Sequence, residues 1–384
     1  MKEIPFNRPF LVGTELAYVR EAAEDGGLES GGLFTARCEA WLAGTTGAER
    51  ALLSHSGTGA LEAAMMLADL GPGDEAIMPS FAYPTMATAV VRQGAIPVFV
   101  DVDPDTLNLD PGEVKKAVGP RTKAIIAVHY GGVGCEMDEL LAIAAPAGLT
   151  VIEDAAHCLL ATYRDRPLGT LGDLGTFSFH HTKNVSSGEG GALLVNNPAL
   201  LERAEIVWEK GTDRTRFERG EVDRYTWVDV GSSFAASELT AAFLWGQLEA
   251  AEEITRRRRE IWDRYHEGFV EPEAAGLVQR PVVPDGHAHN GHLYYLILPT
   301  ASARDAFIAT MRAEGIATSF HYVPLHSSPA GLQFGRSIGD LAQTEQLSRR
   351  LVRLPLWSGL DRDSVARVID VAGTALSDVA SSRA

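Results

Sequence analysis

The chain has few cysteines, a deficit of positive charge and no long apolar run. Its 384 residues hold three cysteines, Cys38, Cys135 and Cys158, far apart and forming no CxxC pair. An odd, scattered set argues against a disulfide framework and predicts reduced thiols in a cytoplasmic protein. Lys and Arg number 34 against 51 Asp and Glu, a formal net charge of −17. A surface that acidic repels phosphate backbones and anionic membranes, so neither nucleic acid nor a membrane is expected as a partner. A local basic pocket for a small phosphorylated ligand is still compatible with it. No uncharged apolar stretch reaches the length of about 18 residues that a membrane span needs. The longest candidate, 140–152, is broken by Pro146. The opening Met1-Lys-Glu-Ile-Pro-Phe-Asn-Arg lacks the apolar core of a signal peptide. Residues 377–384 are small and polar, and a frayed end is expected there.

What is present is the balance of an ordinary globular protein, 45% apolar and 22% charged. At roughly 100–200 residues per domain, the length predicts two or three packed units. Short β-branched runs, at 51–56, 75–80, 96–102, 124–130, 149–154, 175–180 and 191–196, alternate with Ala- and Leu-rich stretches such as 60–70 and 136–147. Nearly continuous apolar strands separated by helical patterns predict a mainly parallel sheet with helices on both faces. The connections 167–175 and 183–190 are too short for a helix, so an antiparallel or irregular section is expected there. One long helix is predicted from about Ser237 to Phe269, followed by a Pro-rich loop, a strand at 293–298 and helices at 301–314 and 363–376. The Gly-rich segment 26–32 reads as a mobile loop.

Ligands of open α/β sheets sit outside the carboxyl ends of the strands. Asp154 closes the run Val151-Ile-Glu-Asp. It reads as a helix N-cap, or as a carboxylate for a metal, a ribose or a protonated ring nitrogen. Ser56-Gly57-Thr58-Gly59 follows a strand and opens a helix, where bare backbone N–H groups suit a phosphate, or where the chain simply turns. The segment is neither a Walker A loop nor a dinucleotide GxGxxG. Lys183 follows an apolar strand and precedes a Gly-rich stretch. It reads as a surface lysine, or as a part-buried amine of depressed pKa able to form a Schiff base with an aldehyde. His287, His289 and His292, with His180 and His181, lack metal-ligand spacing, so no metal is expected. The run Arg256–Arg259 reads as a solvated helix face balanced by Glu252, Glu253 and Glu260.

Taken in order, Gly57-Thr58, Asp154-Ala-Ala-His157, Ser178-Phe-His-x-Thr-Lys183-Asn and Gly188-Glu-Gly-Gly191 resemble the DegT/DnrJ/EryC1/StrS family of pyridoxal-phosphate (PLP) sugar aminotransferases. The likeness runs from about Pro5 to the final helix. It is closest to the branch acting on dTDP-4-keto-6-deoxy-glucose, carried by Pro5-Phe-Asn, Val12-Gly-Thr-Glu-Leu, Val128-His-Tyr-Gly-Gly-Val-Gly-Cys-Glu-Met-Asp, Lys210-Gly-Thr-Asp-Arg, Tyr225-Thr-Trp, Gly231-Ser-Ser-Phe and Phe320-His-Tyr-Val-Pro-Leu-His326. The resemblance implies an α/β chain of the aspartate-aminotransferase fold, PLP fold type I. A large, mostly parallel seven-stranded sheet domain would span residues 1–250 and a smaller α+β C-terminal domain 251–384, with the N-terminal segment free to pack on the smaller one.

The resemblance also implies roles. Lys183 would carry the cofactor and shuttle the proton. Asp154 would hold the pyridinium nitrogen, His157 the 3-oxygen side, and Tyr83 would stack on the ring. Gly57, Thr58 and Ser178 would donate to the phosphate. Ser233 would reach the phosphate of the partner subunit, at a position where many relatives have Asn. His129, Tyr322 and His326 would contact the sugar nucleotide, and the role of Lys210 stays open. The implied reaction moves an amino group from L-glutamate to C4 of a dTDP-4-keto-6-deoxy sugar in a homodimer, with pyridoxamine phosphate as the intermediate cofactor form. Lys183, rather than His, favours transamination over dehydration. The alternatives are a C3 aminotransferase, another PLP reaction on an amino acid, and a regulator that binds PLP or sugar nucleotide without turnover. An amino-acid α-carboxylate would need a dedicated arginine, for which Arg214 and Arg216 stand as candidates.

Overall fold

The computed structural model describes residues 3–381, the side chains of 379–381 excepted. All seven expected strands form: β1 (Arg50–Ser54), β2 (Glu75–Pro79), β3 (Ile96–Val100), β4 (Thr122–Val128), β5 (Thr150–Asp154), β6 (Leu174–Ser178) and β7 (Gly191–Val195). After them come β8 (Tyr294–Ile297), β9 (Arg336–Ser337) and β10 (Leu351–Leu354). The large sheet has eight strands, in the order β1-β7-β6-β5-β4-β2-β3-β9. Only β7 runs antiparallel to its neighbours, β1 and β6, within the section expected to be irregular. The interior strands are buried along both faces, which is why they read as unbroken apolar runs.

The eighth strand corrects the expectation of seven. Arg336 and Ser337 come from the C-terminal third and pair in parallel with Val98 and Phe99. Two polar residues leave no apolar pattern to read. They are held instead by the Arg336 guanidinium, which donates Nε and Nη2 to the Glu75 carboxylate at 2.8 and 2.6 Å.

The long helix expected over 237–269 is two helices, Glu238–Leu248 and Ala251–Gly268. Ser237 caps the first, its hydroxyl accepting from Thr240 N. The break follows from packing. Ala241, Ala242, Leu244 and Leu248 join the core beneath the large sheet, whereas Ile261, Trp262, Tyr265 and Phe269 join a separate core. One straight helix would not present apolar stripes to both. That second core holds residues from 261 to 376 together with Ile4, whose backbone pairs with Gly315 and Ala317. There β8 and β10 form an antiparallel pair.

The last helix, Arg362–Ser381, outruns the expected 363–376. Val365, Val368, Ala372, Ala375 and Leu376 recur at helical spacing and are buried, which keeps residues 377 and 378 helical where fraying was expected. Residues 382–384 lie outside the described residues. No helix among the described residues is long and apolar enough to cross a membrane. All three cysteines are buried and unpaired.

Candidate active site

A cavity of about 610 Å³ opens at the carboxyl ends of β1, β5 and β6. Its walls include Gly57, Thr58, Tyr83, Asp154, His157, Ser178, Lys183 and Tyr322, which the sequence singled out from widely spaced segments.

One end of the cavity is a helix N-terminus. Ser56, in extended conformation, spends its hydroxyl on Gly59 N at 3.0 Å. That leaves the Gly57 and Thr58 N–H groups without a protein acceptor among the described residues. The approach of the strands requires small residues here. A Cβ on Gly57 would lie 2.9 Å from Ser178 Cβ, and one on Gly191 would lie 2.5 Å from Gly57 N. Two bare N–H groups, the helix dipole and the Ser178 hydroxyl together make a seat for a phosphate.

Lys183 projects from the β6–β7 connection, which is closed by backbone bonds between Phe179 and Gly190 and between His181 and Gly188. Asn184 anchors the connection, donating Nδ2 to the Asn290 carbonyl and accepting from His292 Nδ1 at 2.9 Å. The Lys183 amine has no hydrogen bond or ion pair among the described residues. Burial pushes its pKa down to about 8, with the Asp154 carboxylate acting against that shift. Asp154 is 8% exposed, and burial raises its pKa above the ordinary carboxylate range. The N-cap reading of Asp154 is half met: its Oδ1 accepts from Ala156 N at 3.1 Å, but no helix begins there. A nearby cation would restore its charge, which is the environment a protonated ring nitrogen supplies. His157 stacks on His292 at 4.0 Å, and burial drives its pKa well below the usual value. Its Nδ1 accepts from Gly131 N, which leaves Nε2–H as its donor.

These residues fit pyridoxal phosphate on chemistry alone: an unpartnered amine of lowered pKa, a buried carboxylate across from it, and bare N–H donors at one end. The volume suits a cofactor together with part of a substrate.

Two expected sugar contacts do not fit. His129 stands in the cavity wall but is fully enclosed, its Nδ1 accepting from Cys135 N at 3.0 Å and its Nε2 facing Glu153 at 2.8 Å, so both ring nitrogens are already taken. His326 lies off the cavity, where Nδ1 meets the Ser80 hydroxyl at 2.7 Å and ties the C-terminal part to the end of β2. Ser233 is exposed and also lies outside this chain's own cavity. Lys210 is exposed and faces Glu209 at 3.5 Å. Gly32, at the end of the Gly-rich loop, sits against Glu238, whose carboxylate caps the next helix through Phe34 N, Thr35 N and the Thr35 hydroxyl.

Other cavity residues escaped the sequence reading. Phe6 and Asn7 line it from the N-terminal segment, and His321 and Arg353 from the C-terminal part. Arg258 also lines it and corrects the reading of a solvated arginine run. Arg256 and Arg257 do pair with Glu253, but Arg258 is 3% exposed and bonds to the carbonyls of Gly291 and His292. The signal was available: Ile254 and Trp262, four residues to either side, place Arg258 on the apolar stripe. His287, His289 and His292 go separate ways, to Tyr163, Trp262 and His157.

Comparison with known proteins agrees with this geometry. The sequence pattern of the DegT/DnrJ/EryC1/StrS aminotransferase family matches residues 10–372. The spore coat polysaccharide biosynthesis protein SpsC of Bacillus subtilis is 35% identical over 375 residues, 96% of this chain and 95% of that protein. The dTDP-4-dehydro-2,3,6-trideoxy-D-glucose 4-aminotransferase of Saccharopolyspora spinosa is 34% identical over 327 residues, 84% of this chain and 83% of its own. The crystal structure of the aminotransferase TlmJ from Streptoalloteichus hindustanus superposes with a TM-score of 0.89 at 32% identity, covering 98% of this chain and all of that one. The chain therefore belongs to the DegT/DnrJ/EryC1/StrS family and is a PLP-dependent sugar aminotransferase.

Proposed function

We propose that the protein transfers an amino group from L-glutamate to C4 of dTDP-4-keto-6-deoxy-D-glucose, releasing 2-oxoglutarate and a dTDP-4-amino-4,6-dideoxy sugar, the galacto epimer or its gluco counterpart. The observation that carries the chemistry is the Lys183 amine, shielded, unpartnered and lowered to about 8, in one cavity with a buried carboxylate and a bare helix N-terminus. Position C4 is supported by the 34% identity to a 4-aminotransferase. A C3 aminotransferase is the second reading.

Bound PLP supplies an electron sink that eases breaking of the C–H bond beside the reacting nitrogen. Everything else falls to the chain. Lys183, once free and neutral, takes the proton from the donor's α-carbon and returns one to C4 of the sugar. A pKa near 8 leaves a usable fraction of the amine neutral at cellular pH. Asp154 holds a positive ring nitrogen in place. Gly57, Thr58 and Ser178 would hold the phosphate of the cofactor, and Tyr83 and His157 would hold its ring. Tyr322 contacts the sugar nucleotide from the C-terminal wall.

We assign Ser233 to the cavity of a partner subunit in a homodimer. Its surroundings support that reading, since Trp227, Val228 and Val230 nearby are exposed apolar side chains. Residues 1–250 and 251–384 make the two domains, and three unpaired thiols accord with a cytoplasmic enzyme. The test is the visible spectrum of the PLP-loaded protein, followed by NMR of the product. A band that bleaches with L-glutamate and recovers with the 4-keto sugar, giving an amine at C4, is expected. An amine at C3, or a band indifferent to glutamate, overturns the reading.

A further inference from the structure

Arg353 is an arginine in the cavity wall without an acid. It lies on β10, lines the cavity, and has no carboxylate within ion-pair distance among the described residues. Nη2 donates to the Phe320 carbonyl at 3.1 Å. Nε is buried with no acceptor, and Nη1 is unbonded and accessible. The face of the guanidinium is covered by the Phe6 ring at 4.8 Å. Around it stand His321 and the phenols of Tyr130 and Tyr322, none of which carries a negative charge at neutral pH. A shielded cation with an open donor edge and no counterion is costly unless an anion arrives with the ligand. Arg258, the other cavity arginine without an acid, differs: its Nε and Nη2 both donate to backbone carbonyls, of Gly291 and His292, and hold that loop in place. Arg214 and Arg216, candidates for an anion site on sequence grounds, pair with Glu218 and with Glu202 and Glu221 and do not line the cavity.

Two anions enter this cavity under the proposed function, on which this step rests: the carboxylates of the amino donor and the diphosphate of the sugar nucleotide. The donor's α-carboxylate is bonded directly to the carbon that reacts beside Lys183. The diphosphate is separated from C4 by the hexose ring and falls farther from the reacting centre. Arg353 is close enough to Lys183 for its charge to help depress the amine. A planar guanidinium with free donors matches a carboxylate, and the Phe6 ring over one face leaves its donor edge toward the cavity. We propose that Arg353 is the anchor for the α-carboxylate of the amino donor, a residue that selects an α-amino acid at the same site that later receives the sugar.

The test is calorimetry on the PLP-loaded enzyme with 2-oxoglutarate, which binds there without turnover, and with dTDP as the control. Arg353→Gln should raise the Kd for 2-oxoglutarate about 100-fold, the order found when one partner of a close charge pair is removed. The dTDP Kd should move less than about threefold, on the expectation that non-contacting sites add independently. Arg353→Lys, which keeps the charge and loses the fork, should fall between and decides the matter if the Gln variant does not fold. Unchanged 2-oxoglutarate affinity, loss of dTDP instead, or equal loss of both overturns the assignment. Wild-type enzyme that binds dTDP but no 2-oxoglutarate overturns the anchor and the choice of donor while sparing the nucleotide. Wild-type enzyme that binds 2-oxoglutarate but no dTDP overturns the nucleotide reading alone.

Discussion

Glu153 and Asp154 are neighbours on β5, and the two faces of that strand treat a carboxylate in opposite ways. Glu153 is fully buried and saturated: it accepts from Gly169 N, Leu171 N and Gly172 N at 2.6–2.8 Å and meets His129 Nε2 at 2.8 Å. Asp154 is almost as buried and accepts from one backbone N–H. Consecutive residues of a strand point to opposite sides, so one carboxylate enters the scaffold and the other the cavity. Glu153 is finished by the protein, and Asp154 is finished by what binds. The same contrast separates Arg258 from Arg353. Buried charge with all its partners marks structure, and buried charge without them marks a ligand site.

The largest effect that would break this contrast is expected at Lys183. Lys183→Ala should lower transamination by about 1,000-fold or more, the scale of losing a positioned base, and abolish the glutamate-dependent spectral change. Its melting temperature should not fall, because the side chain removed is an unpaired, half-buried cation. A fall of several degrees would mean that the amine has a structural partner and belongs with Glu153. Next comes Glu153→Gln. Its one oxygen can still serve Leu171 N and Gly172 N, but an amide NH2 then faces the Gly169 N–H and His129 Nε2, and the change should cost about 3 kcal/mol of stability by denaturant titration. The folded fraction should still bind PLP. Third, Asp154→Asn should leave the melting temperature of the cofactor-free chain nearly unchanged while reducing turnover about 100-fold, as expected for losing a charge that acts only on the bound ring. Stability loss at Asp154 as large as at Glu153 would erase the distinction between the two faces.

Much of this was legible from the sequence, for physical reasons. Seven strands show because strands buried on both faces must be apolar throughout. Asp154 and Lys183 show because a charge at the end of an apolar strand needs a reason. β9 was hidden because two residues carry no period, and its stability comes from Arg336 reaching Glu75, 261 positions away in the chain. The break between the two helices near residue 250 was hidden because each half is a good helix, and only the existence of two cores forces the bend. His129 and His326 misled because their motif segments do line the cavity while their own ring nitrogens are spent on scaffold partners. Arg353 had no sequence signal: an arginine alternating with Val352 and Leu354 reads as the exposed face of an edge strand, and only the fold brings Tyr130, His321 and Phe6 around it.

The smallest expected effect concerns pH. Burial lowers the Lys183 amine from its ordinary value of 10.5 to about 8 in the folded, cofactor-free chain. Below pH 8 both folded and unfolded chains carry the proton, and the folded state bears the whole of this site's desolvation cost. Between pH 8 and 10.5 the unfolded chain holds more protons at this site than the folded one, so the site's contribution to stability rises with pH. The cofactor-free wild type should therefore melt below Lys183→Ala at pH 7, and the gap, of one or two degrees for a chain of this size, should close by pH 10. Taking the difference between the two proteins cancels the other groups that titrate over the same range. A wild type that melted above Lys183→Ala at pH 7, with the difference holding up to pH 10, would mean that the folded protein holds the amine protonated through Asp154, and would place that pair with the saturated scaffold charges.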